Sequence, residues 1–256
     1  MTDTPLQDVG VLVTRPRIQA AELVDAIEAR GGNAYCFPVI EIAPFDELDI
    51  QTSVAHLGKP DIVVFVSRNA VEHGIRFTGD AEIAVIGPAT ARAVIAAGRV
   101  VDIQPAEGYD SEHLLAEERL QNVAGQRVRI IRGNQGRELL ADELKQRGAI
   151  VEYLSVYERR LPEVGPDMLA DLERQWRQGR INVVTAMSIQ SLGNLVDLLP
   201  DWCAAQLEST PLVTPAGRVI KEALERYPAS RPILAAGPGA EDMVQAIIAI
   251  NRPIPE

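Results

Sequence analysis

The sequence predicts an α/β protein of two similar domains, each a mostly parallel sheet flanked by helices, joined by a two-stranded β linker. Three observations predict it. Short apolar runs alternate with amphipathic helical stretches, the pattern of βα units around a parallel sheet. The chain also repeats itself: VLVTRPRIQAAELVDAIEARGGNAYCFPVIE, from Val11, lies without a gap on VRIIRGNQGRELLADELKQRGAIVEYLSVYE, from Val128. Arg15 then meets Arg132, Asp25 meets Asp142, Gly31 meets Gly148 and Glu41 meets Glu158, at an offset of 132 − 15 = 117. Finally, 256 residues favour two domains at about 150 residues each, and the repeat is too long for the units of solenoids.

The first expected strand is VGVLVT (9–14), a run with no polar interruption until its end. It leads into AAELVDAIEARGG (20–32), where Leu23 and Ile27 share one helix face and Gly31 and Gly32 supply the stop. The stretch from Tyr35 to Phe45 (YCFPVIEIAPF) breaks the βα rhythm and reads as extended, with a proline-marked break after it. Strands DIVVFVS (61–67) and EIAVIG (82–87) follow. In the second copy RVRIIRG (127–133) and GRELLADELKQRGA (136–149) repeat the opening design, and Tyr153 to Leu161 is the second extended stretch. INVVTA (181–186), TPLVT (210–214) and PILAA (232–236) complete the strands. The match continues across these later elements with drifting offsets: Ser67 faces Ser188 (121), Pro88 faces Pro215 (127) and Ser111 faces Ala240 (129). With both extended stretches running between the bodies, one domain holds residues 1–36 and 163–256, the other holds 46–152, and 37–45 with 153–162 are the linker strands. Each repeat then donates its opening βα unit to the other body, and a ligand is expected in the cleft between them.

A net charge of −11 argues against a nucleic-acid partner, which needs clustered Lys and Arg, and leaves room for an anionic small molecule held by local donors. Neither a basic segment followed by an apolar core nor a membrane-length apolar run is present, so the expected location is the cytoplasm with no membrane partner. Cys36 and Cys203 have no metal or disulfide spacing, and His56, His73 and His113 are scattered, so no metal is expected. There is no dinucleotide GxGxxG, no GKS or GKT phosphate loop and no GxSxG elbow, and GPGAED near Gly237 is a weak glycine-rich turn.

Candidate ligand contacts are the strand-to-helix junctions, where backbone N–H groups attract carboxylates or phosphates. These are Thr14 with Arg15, Ser67 with Asn69, Gly87 with Thr90, Arg132 with Gly133, Ser188, and Thr214; Ser111, opening SEHLL, joins them. Each Ser or Thr could equally be an N-cap worth about 1 kcal/mol. Arg15 and Arg132 recur in both copies, as a structural ion pair or a substrate clamp. Tyr157 and Thr90 are unmatched, facing Ile40 and Gly217, and Tyr157 could be a packed tyrosine or a catalytic one.

VLVTRP, FVSRNAVEH, VIGPATARAV, YDSEHLL and RGNQGRELLADELKQRGAIVEYLSVYERR, in this order over nearly the whole chain, resemble the uroporphyrinogen-III synthase family. The resemblance implies two α/β domains on a two-stranded ladder. It implies a cofactor-free reaction in tetrapyrrole biosynthesis, in which hydroxymethylbilane loses its terminal hydroxyl and closes to uroporphyrinogen III with the last pyrrole inverted. The family tyrosine falls on Tyr157 as the acid, its first-copy threonine on Thr90, and its serines on Ser67 and Ser188. A monomer in transient contact with the preceding enzyme is expected. The alternative is a non-catalytic two-lobed small-molecule-binding or regulatory domain of the same fold.

Overall fold

The computed structural model describes residues 4–251. Strand β1 (Gly10–Val13) leads to helix α1 (Arg17–Glu28) and β2 (Asn33–Cys36), followed by β3 (Glu41–Pro44) and α2 (Glu47–Ala55). Then come β4 (Ile62–Phe65), α3 (Arg68–Gly74), β5 (Glu82–Val85), α4 (Pro88–Ala96) and α5 (Ser111–Ala116). The second copy begins with β6 (Arg127–Gly133), α6 (Leu139–Gln146), β7 (Ile150–Arg160) and α7 (Pro166–Arg177). It continues with β8 (Val183–Thr185), α8 (Ile189–Leu198), α9 (Cys203–Ser209), β9 (Leu212–Thr214), α10 (Gly217–Arg226), β10 (Pro232–Leu234) and α11 (Ala240–Asn251).

The chain divides into two compact units, Met1–Glu41 with Arg160–Glu256, and Ile42–Arg159. The first unit holds the sheet β10-β9-β8-β1-β2, with every neighbouring pair parallel. Its three central strands, β1, β8 and β9, are buried on both faces: Leu12, Val184 and Leu212 pack into one core, Val11, Val183 and Val213 into the other. Helices cover both faces, as a parallel sheet requires. The second unit holds β3-β7-β6-β4-β5, with β7, β6, β4 and β5 mutually parallel, and two cores again share its alternating side chains. β1 of the first copy pairs with β8 of the second, and β6 of the second with β4 of the first.

The register shows that both copies build the same object. Gly10 pairs with Asn33 as Arg127 pairs with Ile150, and 127 − 10 equals 150 − 33, the offset of 117. Helix α1 buries Ala20, Leu23 and Ile27, then stops at Gly31 with φ +82, where a side chain would be strained; its counterpart Gly148 has φ +83. Helix α6 starts at Leu139, five residues later than α1 when placed on the same offset, because residues 134–138 form a loop.

Two expectations are corrected. The stretch from Tyr35 to Phe45 is not one extended segment: β2 ends at Cys36 and β3 begins at Glu41. Pro38 lies between them and has no N–H to offer a ladder. The later offset is 129 at β5 and α4, where 127 was expected. Val63 pairs with Ile83, and its counterpart Val184 pairs with Leu212, where 212 − 83 = 129; the N-caps Gly87 and Ala216 differ by the same amount. Pro88 therefore corresponds to Gly217 and Thr90 to Val219. The dipeptides GP and TP look alike, but Pro88 is the first residue of α4 whereas Pro215 precedes the cap of α10. The extra length sits before β9, where α9 is inserted.

The stretches expected as linkers include β3 and β7, which are neighbours in the second sheet. β7 pairs with β6 from Ile150 to Tyr157, and residues up to Arg159 fall in the second unit.

Candidate functional site

In a parallel sheet all strand carboxyl ends reach one edge, and the helices that follow aim their N-termini there. In the second unit this edge gathers Ser67 after β4, Gly87 after β5, Gly133 at the end of β6, and Tyr157 on β7.

Tyr157 owes its direction to a bulge. Arg132 pairs with Ser155 but Gly133 pairs with Tyr157, so Val156 is an extra residue. Strict alternation would send Tyr157 to the face opposite Leu154 and Val156; with the extra residue all three enter the same core. Tyr157 is 3% exposed. A Cβ on Gly133 would stand 2.7 Å from the Tyr157 ring, so glycine is what lets that ring approach the strand. The ring lies 6.2 Å from that of His73, and the Tyr157 hydroxyl is 3.2 Å from Ser67 Oγ. Ser67 also caps α3, its Oγ accepting from the Ala70 N–H at 3.1 Å.

Around this pair, Asn69 is buried in the first turn of α3. Gly87 is the N-cap of helix α4 and offers no side-chain cap, and Thr90 is buried within the first turn. The exposed Tyr109 lies against Gly87. Ser111 is the first residue of α5, not its cap: Asp110 accepts from the His113 N–H.

Arg132 is engaged within its own unit. Its guanidinium lies 3.9 Å over the Tyr153 ring and donates to Glu138 at 2.9 Å, while the Tyr153 hydroxyl donates to the other Glu138 oxygen at 2.5 Å. Arg132 thus forms an ion pair with Glu138. Burial first, and then the Glu138 hydrogen bond, push the Tyr153 phenol from its ordinary value of 10.0 to about 12. The bond from Tyr153 and then that from Arg132 hold the Glu138 carboxyl below its usual range. A raised phenol value means the folded state holds the proton more tightly. Its stabilisation is complete below pH 10 and is lost as pH rises toward 12. In an alkaline unfolding titration Tyr153→Phe is expected to lack this component of the decline. A decline identical to that of the parent protein would remove Tyr153 from the linkage.

The first unit presents the matching edge with different use of its hydroxyls. Thr14 donates to the Thr185 carbonyl at 2.7 Å and is buried, so it is committed to the sheet. Thr214, fully buried, accepts from the Ala216 N–H at 3.3 Å. Ser188 forms a capping box with Ser191 at the start of α8. Arg15 donates to the Pro238 carbonyl at 2.7 Å, and burial lowers its guanidinium value. Arg15 and Arg132, equivalent in the repeat, both have an Nε buried without a partner.

Sequence reasoning missed Tyr153, Glu138 and His73. Tyr153 carried a usable signal, since its repeat counterpart at the 117 offset is Cys36. Among the described residues no group of three His, Cys, Asp or Glu could hold a metal ion, and no helix is long and apolar enough to cross a membrane.

Residues 21–245 match the family model described as uroporphyrinogen-III synthase HemD. The uroporphyrinogen-III synthase of Escherichia coli is 32% identical over 203 residues, 76% of this chain and 81% of that protein. A putative uroporphyrinogen-III synthase of Methanothermobacter thermautotrophicus is 34% identical over 192 residues, 72% of this chain and 75% of that one. Among solved structures, the uroporphyrinogen-III synthetase of Helicobacter pylori aligns with a TM-score of 0.64 at 13% identity, covering 95% of this chain and 99% of that chain. A mutant uroporphyrinogen III synthase of Thermus thermophilus aligns at 0.57 and 18% identity, covering 95% and 100%. At these identities the structures speak for the fold.

Proposed function

The chain belongs to the uroporphyrinogen-III synthase family, and from that membership we infer that it closes hydroxymethylbilane to uroporphyrinogen III using the hydroxyl pair of Tyr157 and Ser67. The reaction is a cyclising loss of water. Once the terminal hydroxyl departs, the electron-rich pyrrole stabilises the cation that remains, so the protein's work is to hold the chain so that the substituted carbon of the last ring attacks. Positioning supplies most of such an effect. An acid at the departing hydroxyl supplies more, and protonation turns a poor leaving group into water.

The observation that carries the site assignment is the contact between Tyr157 and Ser67 at 3.2 Å on the carboxyl edge of the second unit. The substrate's carboxylates suit the first turn of α4, where the Ala89 N–H has no side-chain acceptor although Pro88 has no N–H and that of Thr90 goes to the Gly87 carbonyl, and the row of helix N-termini on the same edge. The regulatory alternative loses support, because the curated relatives are themselves named as synthases. We extend the reading to a cytoplasmic monomer that meets its supplying enzyme transiently. Two cysteines without disulfide spacing support the compartment.

The test is incubation with freshly generated hydroxymethylbilane and separation of the type I and type III products. Type III is expected to dominate. A product mixture no different from that formed without protein would overturn the assignment.

A further inference from the structure

The hydroxyl pair has a direction, and it reverses the order in which its two residues meet the substrate. A buried phenol must donate its hydrogen somewhere, and among the described residues the polar partner of the Tyr157 hydroxyl is Ser67 Oγ. A serine hydroxyl has one hydrogen to give and two lone pairs to fill. One lone pair takes the Ala70 N–H, and with the buried phenol as donor the other takes the Tyr157 O–H, in a contact whose 3.2 Å length admits either oxygen as donor. The Ser67 hydrogen is thereby left free to donate, from a side chain that is only half-buried at the start of α3, whereas Tyr157 is buried with its ring against Gly133.

We propose that Ser67 is the catalytic residue that hands the proton to the departing hydroxyl, and that Tyr157 is the positioning residue that resupplies it. The inference rests on the synthase reading above. The Ser67 hydrogen passes to the oxygen of the substrate's terminal hydroxymethyl group. The carbon–oxygen bond breaks with its electron pair on that oxygen, which leaves as water, while the pyrrole nitrogen's electrons form the new double bonds of the cation. The Tyr157 hydrogen moves to Ser67 Oγ. The attacking carbon is already substituted and has no hydrogen to shed, so its old bond to the methylene that joined it to the third ring breaks, leaving that methylene as the new cationic centre. The unsubstituted carbon of the last ring then bonds to this methylene and gives up its hydrogen as the ring regains its aromatic form. The phenolate recovers that proton through Ser67. One water leaves and the protein ends in its starting protonation state.

The experiment uses the full chain, with hydroxymethylbilane as substrate and kcat for type III product read separately from KM. Ser67→Gly keeps the start of α3, since glycine is tolerated at a cap. Ser67→Gly and Tyr157→Phe are each expected to lower kcat roughly 10²-fold, the low end of acid catalysis. Ser67→Thr is expected to restore most of the rate. The doubly substituted chain is expected to fall within about twofold of the slower single variant, because the residues act as one unit. A near-normal Ser67→Gly beside a slow Tyr157→Phe would place Tyr157 directly on the substrate and overturn the relay, as would multiplicative losses in the double. If Ser67→Gly does not fold, single-turnover rates of the unaltered protein in mixed light and heavy water decide: two protons in flight give a curved dependence, and a straight line sinks the proposal. Failure of the unaltered protein to make type III product would instead strike the functional reading.

Discussion

Replacing Glu152 by alanine is expected to lower the unfolding free energy by about 3–5 kcal/mol, the cost of removing one partner from a buried ion pair. Arg129 is 2% exposed in the middle of β6, and its cross-strand partner on β7 is Glu152. The two side chains approach to 3.5 Å, Arg127 joins Glu152 at 2.5 Å, and the Gly58 N–H donates to the same carboxylate at 3.3 Å. Burial pulls the Arg129 guanidinium value down, and the Glu152 carboxylate opposes that pull. Without Glu152 the buried cation keeps one hydrogen bond, to the Gly58 carbonyl at 2.5 Å. Urea unfolding followed by circular dichroism measures the loss. A change under about 1 kcal/mol would show that Arg129 finds water or another partner.

The repeat supplies the companion variant. At the offset of 117, Arg129 and Glu152 correspond to Leu12 and Tyr35, which pair across β1 and β2 in the same register and pack into an apolar core. The fold therefore accepts an uncharged pair at this place. Arg129→Leu with Glu152→Tyr is expected to recover stability to within about 1–2 kcal/mol of the parent, since buried ion pairs exchanged for packed apolar ones are often neutral. The shortfall is what the Gly58 backbone and the Arg127 guanidinium lose. A double variant as unstable as Glu152→Ala would mean the charges specify the second unit in a way the first does not need.

The central strands of the parallel sheets were legible because they are buried on both faces, so Val11–Val13, Ile62–Phe65 and Val128–Ile131 stand out as runs. Sequence identity misled where a proline fell by chance in both copies: Pro88 opens a helix and Pro215 does not, and only hydrogen-bond register tells them apart. The late start of α6 was hidden for a similar reason. GRELL reads as helix, but Arg132 reaches forward to Glu138 and the Arg137 carbonyl and holds residues 134–138 as a loop. Tyr157 was found as a mismatch in the repeat. The bulge that turns it inward has no sequence signature beyond the glycine facing it, and the Ser67 contact depends on that bulge.

Gly133→Ala is expected to cut type III formation by roughly 10²-fold, the loss expected when the proton donor is removed, without touching either hydroxyl. The added Cβ would lie 2.7 Å from Tyr157 Cε2, 2.9 Å from Cζ and 3.3 Å from Cδ2. Because the φ of Gly133 lies outside the left-handed region, the backbone itself accepts alanine and the whole penalty falls on the ring. The ring has little room to yield, with Leu154 and Val156 in the same core and His73 beside it, so overpacking should cost about 1–3 kcal/mol as well. Any shift that relieves the clash carries the hydroxyl from its 3.2 Å contact with Ser67. Adding Tyr157→Phe to Gly133→Ala should then cost little further activity, because the contact it removes is already broken. Product separation together with thermal melting distinguishes the outcomes. Lower stability at full activity would show that the hydroxyl pair does not depend on the ring's position, and the case for Tyr157 acting through Ser67 would fall with it.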